Sequence, residues 1–415
     1  MRILEPLFLA CVLNFLVICS AFVFTGTGGP ELARFWVKGF SELHGFAMQM
    51  VMMLLLGHVL AVSRGFQKPL TLLLRYLQKM REPAMGLVAV SALLSWLHWG
   101  LGLVAGGLLA ARLSQYKANA RLRYAAAAYA GFIVWHGGWS GSAPLVIATQ
   151  GHPWEAVMGV VPIQATLLSG LNLSLLLGVV LVAMITVRFL PDPLAEQGDT
   201  EPFEHSDPME TITMGRDYTF LLGLILTGLS VCVLGLGWQS LNLNTLILLL
   251  FGLSLTLHGH QTSFQNAVVS GLKGTAGIII QFPLYGAIMA VMRDSGLAVL
   301  LAQQLLAWTP PLLFLNGVFW AAGFLNLVVP SGGGQWAVQA PVIIPVAQEL
   351  GVSLSQTVIA FSWGDAWTNL IQPFWALPLL AMTGVKASRL LPYTAVLCLT
   401  TGAVASAIFL LFSLR

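Results

Sequence analysis

His136-Gly137-Gly138-Trp139-Ser140-Gly141-Ser142 interrupts an apolar run at 121–150, and Trp363-Gly-Asp-Ala-Trp-Thr-Asn-Leu-Ile-Gln-Pro373 interrupts another at 354–383. An ordinary membrane span is unbroken. A helix broken at mid-membrane frees N–H groups that suit an anion and carbonyls that suit a cation. The two runs close two copies of one pattern. The stretch from Ala33 to about Gly151 recurs at an offset of about 231 to 234 residues, from about Ala267 to Gly384. Lys38-Gly39 answers Ser270-Gly271, Ser63-Arg64-Gly65 answers Asp294-Ser295-Gly296, and Ala143-Pro144-Leu145-Val146 answers Leu377-Pro378-Leu379-Leu380. Internal duplication with paired interruptions is the pattern of a secondary transporter whose substrate sits where broken segments meet.

Composition bounds the architecture. Of 415 residues, 57% are hydrophobic and 8% charged, with a mean hydropathy of +0.83, so most of the chain must face lipid or itself. Lipid offers no partners to an open sheet edge, and the apolar runs lack period-two alternation, which predicts an all-α polytopic membrane protein. The net charge of +3 says little, because charge acts by side of the membrane. Leu7 to Phe24 reads as a retained first helix rather than a cleaved leader. Cys11, Cys19, Cys232 and Cys398 lie in apolar runs without metal-site spacing and are expected to be small buried residues.

Eight of the sixteen acidic residues fall between Asp192 and Asp217, which marks 191–216 as a solvated linker between copies. Arg64, Lys68, Arg75, Lys79 and Arg81 form one basic cluster; Arg112, Lys117, Arg121 and Arg123 form a second. The positive-inside rule puts both on the cytoplasmic side. Between them, 84–111 must leave and return on one face, and at 28 residues it is too short for two helices of about 20 each. A re-entrant hairpin with its tip at Trp96 to Gly102 resolves this, in a place where non-helical backbone lines a cavity. Its counterpart is 312–350, with its tip from Asn326 to Trp336; no Lys or Arg occurs between Arg293 and Lys386, so this hairpin enters from outside. The expected organisation is a first inverted repeat at 1–190, the linker, a linking helix at 217–240 and a second inverted repeat at 241–415. Nine spans are expected, at 7–25, 43–63, 121–150, 159–188, 217–238, 241–258, 274–292, 354–383 and 391–413, with a cytoplasmic N-terminus and an external C-terminus.

Four interruptions in equivalent positions point to a polar site with little formal charge. The candidate substrate-binding residues are His98, Gly100 and Gly102 at the first tip, and His136, Ser140 and Ser142 at the first break. The second hairpin adds Asn326, Ser331, Gly332, Gly333, Gly334, Gln335, Trp336 and Gln339, and the second break adds Gln372. Hydroxyls supply hydrogen bonds and glycines allow backbone to approach a ligand. Asp365 is the one carboxylate deep inside a span. It reads either as a proton or sodium site, with Thr368 and Asn369 as fellow coupling-ion ligands, or as a structural acceptor for those two side chains. His44 and His58 read as packing residues, whereas His98 and His136 lie at interruptions where an imidazole can serve a carboxylate. No Arg or Lys lies at any interruption, which favours a small, singly charged anion. Trp96, Trp99, Trp139, Trp336, Phe374 and Trp375 either close over an apolar tail or pack helices.

Val329-Pro-Ser-Gly-Gly-Gly-Gln-Trp-Ala-Val-Gln339, Gln372-Pro-Phe-Trp-Ala-Leu-Pro378, Gly137-Gly-Trp-Ser-Gly-Ser142 followed by Pro144, Gln281-Phe-Pro283 and Phe46-Ala-Met-Gln-Met50 closely resemble the short-chain fatty acid transporters of the AtoE type, over nearly the whole length. The resemblance implies uptake of acetoacetate, butyrate and similar monocarboxylates across a bacterial inner membrane. It also implies two opposed hairpins, a homodimer, and a transport unit moving against a scaffold. A proton or sodium ion is the expected coupling partner, and neither a cofactor nor nucleic acid is expected. Gly138-Trp139-Ser140-Gly141 matches the GxSG of rhomboid-type intramembrane proteases, with His258 or His260 as base, a four-residue match that is weak evidence. The alternative within transporters is a dicarboxylate carrier of the same superfamily.

Overall fold

A computed structural model describes residues 6–148, 150, 152, 154–192, 215–238, 243–272, 275–307 and 309–414. Among the described residues every regular element is a helix, as follows from a chain that must satisfy its backbone inside lipid. The first half runs α1 Pro6–Thr25, α2 Gly29–Glu42, α3 His44–Val62, α4 Arg64–Lys79, α5 Pro83–Leu97, α6 Trp99–Tyr116, α7 Arg121–Phe132, α8 Ser142–Ile147, α9 Glu155–Met158 and α10 Gly170–Phe189. The second half opens with α11 Tyr218–Gly235 and α12 Leu243–His258, then α13 Gln261–Leu272, α14 Ala276–Asp294, α15 Leu297–Ala307, α16 Phe314–Asn326 and α17 Gly332–Glu349. It closes with α18 Leu354–Trp367, α19 Pro373–Thr383 and α20 Ala387–Ser413.

The helix α10 starts at Gly170 rather than at 159, because Gly159 adopts φ +65°, Pro162 follows, and the Ser169 hydroxyl caps the helix by accepting from Asn172 N–H. Among the described residues, four helical stretches have the length and apolar content of a full crossing: Gly29–Leu60, Gly170–Phe189, Tyr218–Gly235 and Ala387–Ser413. The expected spans at 121–150 and 354–383 are each divided in two, into α7 and α8 and into α18 and α19. Sequence reading did not anticipate α2, α4, α13 or α15 as separate helices. In α4 the polar residues of Arg64-Gly-Phe-Gln-Lys-Pro hide an amphipathic helix whose Leu74 and Leu77 are buried. The cysteines also depart from expectation: only Cys398 is buried, while Cys11, Cys19 and Cys232 sit on exposed helix faces, where lipid tolerates a small apolar side chain.

Burial separates the helices into an inner and an outer set. Every residue of α7 from Leu122 to Phe132 is buried, as is every residue of α18 from Thr357 to Ala366. In contrast, α11 exposes Leu221, Leu222, Ile225, Leu229 and Val231. The helices that lead into the two interruptions are therefore the centre of the bundle. Packing follows a reciprocal scheme. The helix α1 lies on α14 as α12 lies on α3, α2 on α14 as α13 on α3, α5 on α7 as α16 on α18, and α8 on α17 as α19 on α6. Small residues permit the closest crossings: a Cβ on Gly39 of α2 would lie 2.3 Å from Ala290 Cβ of α14. Residues 193–214 of the acidic linker lie outside the described residues. Its first carboxylate, Asp192, is 2.8 Å from Arg123 Nε and 2.7 Å from Lys117 Nζ, which ties the end of α10 to the start of α7.

Candidate functional site

The first break is a continuous turn rather than a kink. The helix α7 tightens into a 3₁₀ segment at Ile133–Gly137, leaves helical geometry through Gly141, and resumes as α8 at Ser142. Freed backbone groups need partners. Asn172 of α10 donates to Gly137 O at 2.9 Å and to Leu167 O at 2.8 Å, and accepts from Trp363 Nε1 at 2.7 Å. No added side chain fits at Gly138, where a Cβ would lie 2.3 Å from Trp96 O.

The first hairpin tip lies against this break. His98 alone is extended between α5 and α6 (φ −160°, ψ 126°), and its Nδ1 accepts from Gly100 N–H at 3.2 Å. Trp99 N–H donates to Ser140 Oγ at 2.9 Å, and Trp139 N–H to Trp96 O at 2.8 Å. Gly102 lets the hairpin arms close, since a Cβ there would fall 1.9 Å from Ser95 Oγ; one on Gly100 would meet Met53 Cε at 2.6 Å.

The second hairpin tip also reaches the first break. A Cβ on Gly332 would lie 2.8 Å from His136 Cε1, 3.0 Å from Trp135 Cη2 and 3.1 Å from Ser142 Oγ. Gly333 is more open, with only Ser142 Cβ at 3.9 Å. Close backbone approach, expected from the whole glycine run, is therefore required at Gly332. Ser331 caps α17 by accepting from Gly334 N–H at 3.3 Å. At the other end of the tip, Asn326 Nδ2 donates to Thr368 Oγ1 at 3.0 Å and to Asn369 Oδ1 at 2.8 Å, while Thr368 Oγ1 donates to Gly323 O at 2.7 Å. Gln335 Nε2 donates to Ala322 O at 2.7 Å and to Gln339 Oε1 at 3.2 Å. Gln372 Oε1 caps α19 by accepting from Trp375 N–H at 3.4 Å, and Tyr129 Oη donates to Asn369 O at 2.7 Å.

Asp365 does not bond to Thr368 or Asn369, which turn to Asn326 instead. Its Oδ2 lies 2.6 Å from His136 Nδ1, with the two side chains 1% and 0% exposed. The partners come from opposite halves of the chain. Ala143 N–H donates to His136 Nε2 at 3.2 Å, so that nitrogen carries a lone pair and the bond to Asp365 is Nδ1–H donating to carboxylate. Asp365 Oδ1 is buried with no hydrogen-bond partner among the described residues. The same holds for Asn326 Oδ1, Gln335 Oε1, Trp336 Nε1, Gln339 Nε2, Asn369 Nδ2 and Gln372 Nε2. An unpaired buried polar group costs about 1–3 kcal/mol, so groups of this kind are candidates for a binding role.

Three contributors escaped sequence reading. Asn172 was visible as a lone amide at the start of a largely apolar 20-residue helix, Trp363 stood in the second interruption without an assigned role, and Tyr129 carried no local signal. His58 ties α3 to α13 through Ser270 Oγ at 2.8 Å. His258 is engaged by Val59 O and Ser263 Oγ, each at 2.8 Å, and Ser140 by Trp99, so no serine–histidine dyad forms between Ser140 and His258. A cavity of about 490 Å³ lies elsewhere, between α1 and α2, lined by Ile18, Phe22, Leu32, Trp36 and Val37. It offers no charged group to a carboxylate and lies apart from both breaks.

The family model "Short chain fatty acid transporter" matches residues 2–412. A relative from Escherichia coli (strain K12), "Putative short-chain fatty acid transporter", is 32% identical over 96% of this chain and 94% of its own. A relative of the same name from Haemophilus influenzae is 30% identical over 98% and 95%. Among solved structures, the Alcanivorax borkumensis YdaH transporter aligns over 98% of both chains at 16% identity with a TM-score of 0.46. The chain belongs to the short-chain fatty acid transporter family, and it is a multi-pass membrane protein.

Proposed function

We propose that the chain carries acetoacetate, butyrate and similar monocarboxylates across a bacterial inner membrane, coupled to protons, by alternating access. The substrate carboxylate would bind at the start of α17, where the N–H groups of Gly332 and Gly333 have no intrahelical partner, beside Ser142 of the opposite break. The absence of Lys and Arg from all four interruptions supports a single negative charge on the substrate.

The observation that carries the coupling is the His136–Asp365 pair, 2.6 Å apart and touching Gly332 through His136. Asp365 Oδ1 is a buried acceptor able to take a proton without further ligands. Sodium would need several oxygens around it, whereas Asp365 bonds to neither Thr368 nor Asn369, the side chains expected to share such an ion. Protonation of Asp365 would leave the His136 bond intact in geometry but remove its charge, so the polarity felt at Gly332 would change with proton occupancy.

The reciprocal packing of α1–α3 with α12–α14 supports a pair of repeats, which in this reading are inverted with opposed hairpins and nine spans, the basic clusters facing the cytoplasm together with the N-terminus. In this reading the hairpins and broken helices move together against the outer helices, within a homodimer. Uptake of labelled butyrate and labelled succinate into proteoliposomes, under an imposed pH or sodium gradient, tests the proposal. Accumulation of butyrate under the pH gradient is expected. Preference for succinate would make the protein a dicarboxylate carrier, and accumulation only with sodium would remove the proton.

A further inference from the structure

The aromatic side chains beside the two breaks form one connected cluster. Trp375 is its hub, with its ring centroid 5.3 Å from Trp99, 5.8 Å from Phe132, 5.9 Å from Trp135 and 5.1 Å from Phe374. Each interruption contributes. Trp99 follows the first tip at His98, Trp135 lies in the first break, and Trp375 stands in the first turn after the second break. The second tip touches the cluster as well, because a Cβ on Gly332 would lie 3.0 Å from Trp135 Cη2.

Trp135 joins the polar end to the apolar end. One neighbour is His136, stacked at 4.4 Å with planes 14° apart, and another is Trp375. A carboxylate held at Gly332 therefore has Trp135 beside it, and Trp375 one ring further on. Monocarboxylates of different length present the same head group, so hydroxyls and backbone N–H groups at that end cannot tell them apart. Discrimination must come from the apolar end.

We infer that Trp375 limits the length of acyl chain accepted by this site, an inference that rests on the carboxylate position proposed above. Its ring cannot swing aside for a longer chain. Trp99 and Phe374 meet it nearly edge-on, at 77° and 85°, Phe132 and Trp135 flank it, and its backbone N–H is tied to Gln372 Oε1. A smaller side chain at this position leaves room for added methylenes, and one methylene in an apolar pocket is worth roughly 10- to 200-fold in discrimination.

The test is competition by unlabelled acetate, butyrate, hexanoate and octanoate against labelled butyrate uptake in proteoliposomes, for wild type, Trp375→Phe and Trp375→Leu. Thermal-shift binding of the same acids in detergent gives a readout independent of transport. Trp320→Phe, whose indole bonds Ser406 away from the cluster, is the control. Hexanoate should gain on butyrate by roughly tenfold or more in Trp375→Leu, less in Trp375→Phe, and not at all in the control. If Trp375→Leu fails to insert, Trp375→Phe decides. An unchanged ratio of hexanoate to butyrate in the surviving variants, including a uniform weakening of all acids, overturns the inference. Wild type that binds and transports no monocarboxylate refutes the underlying reading and this one with it, and is recognised before any variant is made.

Discussion

Removing the imidazole from the His136–Asp365 pair isolates what each partner contributes. In His136→Ala the Asp365 carboxylate, 1% exposed, loses the one bond it has, 2.6 Å long, and its other oxygen already has no partner among the described residues. Breaking a buried pair from one side costs about 3–5 kcal/mol, because a charge is left without compensation. Asp365→Asn is milder: the amide oxygen still accepts from Nδ1–H while the charge is gone, and the loss should be about 1 kcal/mol. Combining the two removes the charge that made His136→Ala costly. The double variant should therefore be more stable than His136→Ala alone by about 2 kcal/mol, although it carries one more substitution. Denaturant unfolding of the purified protein in detergent measures this cycle. Simple addition of the two single losses would mean that Asp365 is neutral in the resting protein and that His136 compensates no charge. The transport arm is separate: Asp365→Asn, fixed in a form that mimics protonation, should lose butyrate accumulation under a pH gradient yet keep exchange of internal for external substrate. Wild-type accumulation by that variant refutes the coupling role.

Gly332→Ala should reduce uptake sharply, since its Cβ would lie 2.8 Å from His136 Cε1, whereas Gly333→Ala, with 3.9 Å to its nearest neighbour, should transport nearly as wild type; initial uptake rates in proteoliposomes compare them. Asn172→Ala should destabilise through three abandoned partners, Gly137 O, Leu167 O and Trp363 Nε1, at about 1–3 kcal/mol for each group left buried and unpaired, read by unfolding in detergent. Cysteines placed at Arg75 and Arg121 should resist an impermeant reagent until cells are lysed, while one at Gly333 should react in intact cells; labelling at position 75 without lysis would reverse the orientation.

Much of this protein is legible in one dimension. An all-helical membrane protein follows from composition, and membership in the family follows from motifs such as Val329 to Gln339 and Gln372 to Pro378. The chain leaves α-helical geometry at His98, at 133–141, at 327–331 and at 368–372, and a break in a helix is a local event written in glycine, proline and serine. Helices such as α2, α4, α13 and α15 were missed because short or amphipathic segments lack the unbroken apolar run that announces a span.

Pairings across the bundle were not legible. His136 and Asp365 were both singled out, but nothing local joins residues 229 apart, and Thr368 and Asn369 were equally open as partners of Asp365. The same holds for Asn172 with Trp363, for Tyr129 with Asn369, and for the meeting of Gly332 with the first break. Successive residues on a helix point about 100° apart, so Gly332 and Gly333 are alike as letters yet face different neighbours. Which face turns inward is settled by how α7, α17 and α18 pack against one another, and that packing belongs to the folded bundle rather than to any stretch of chain within it.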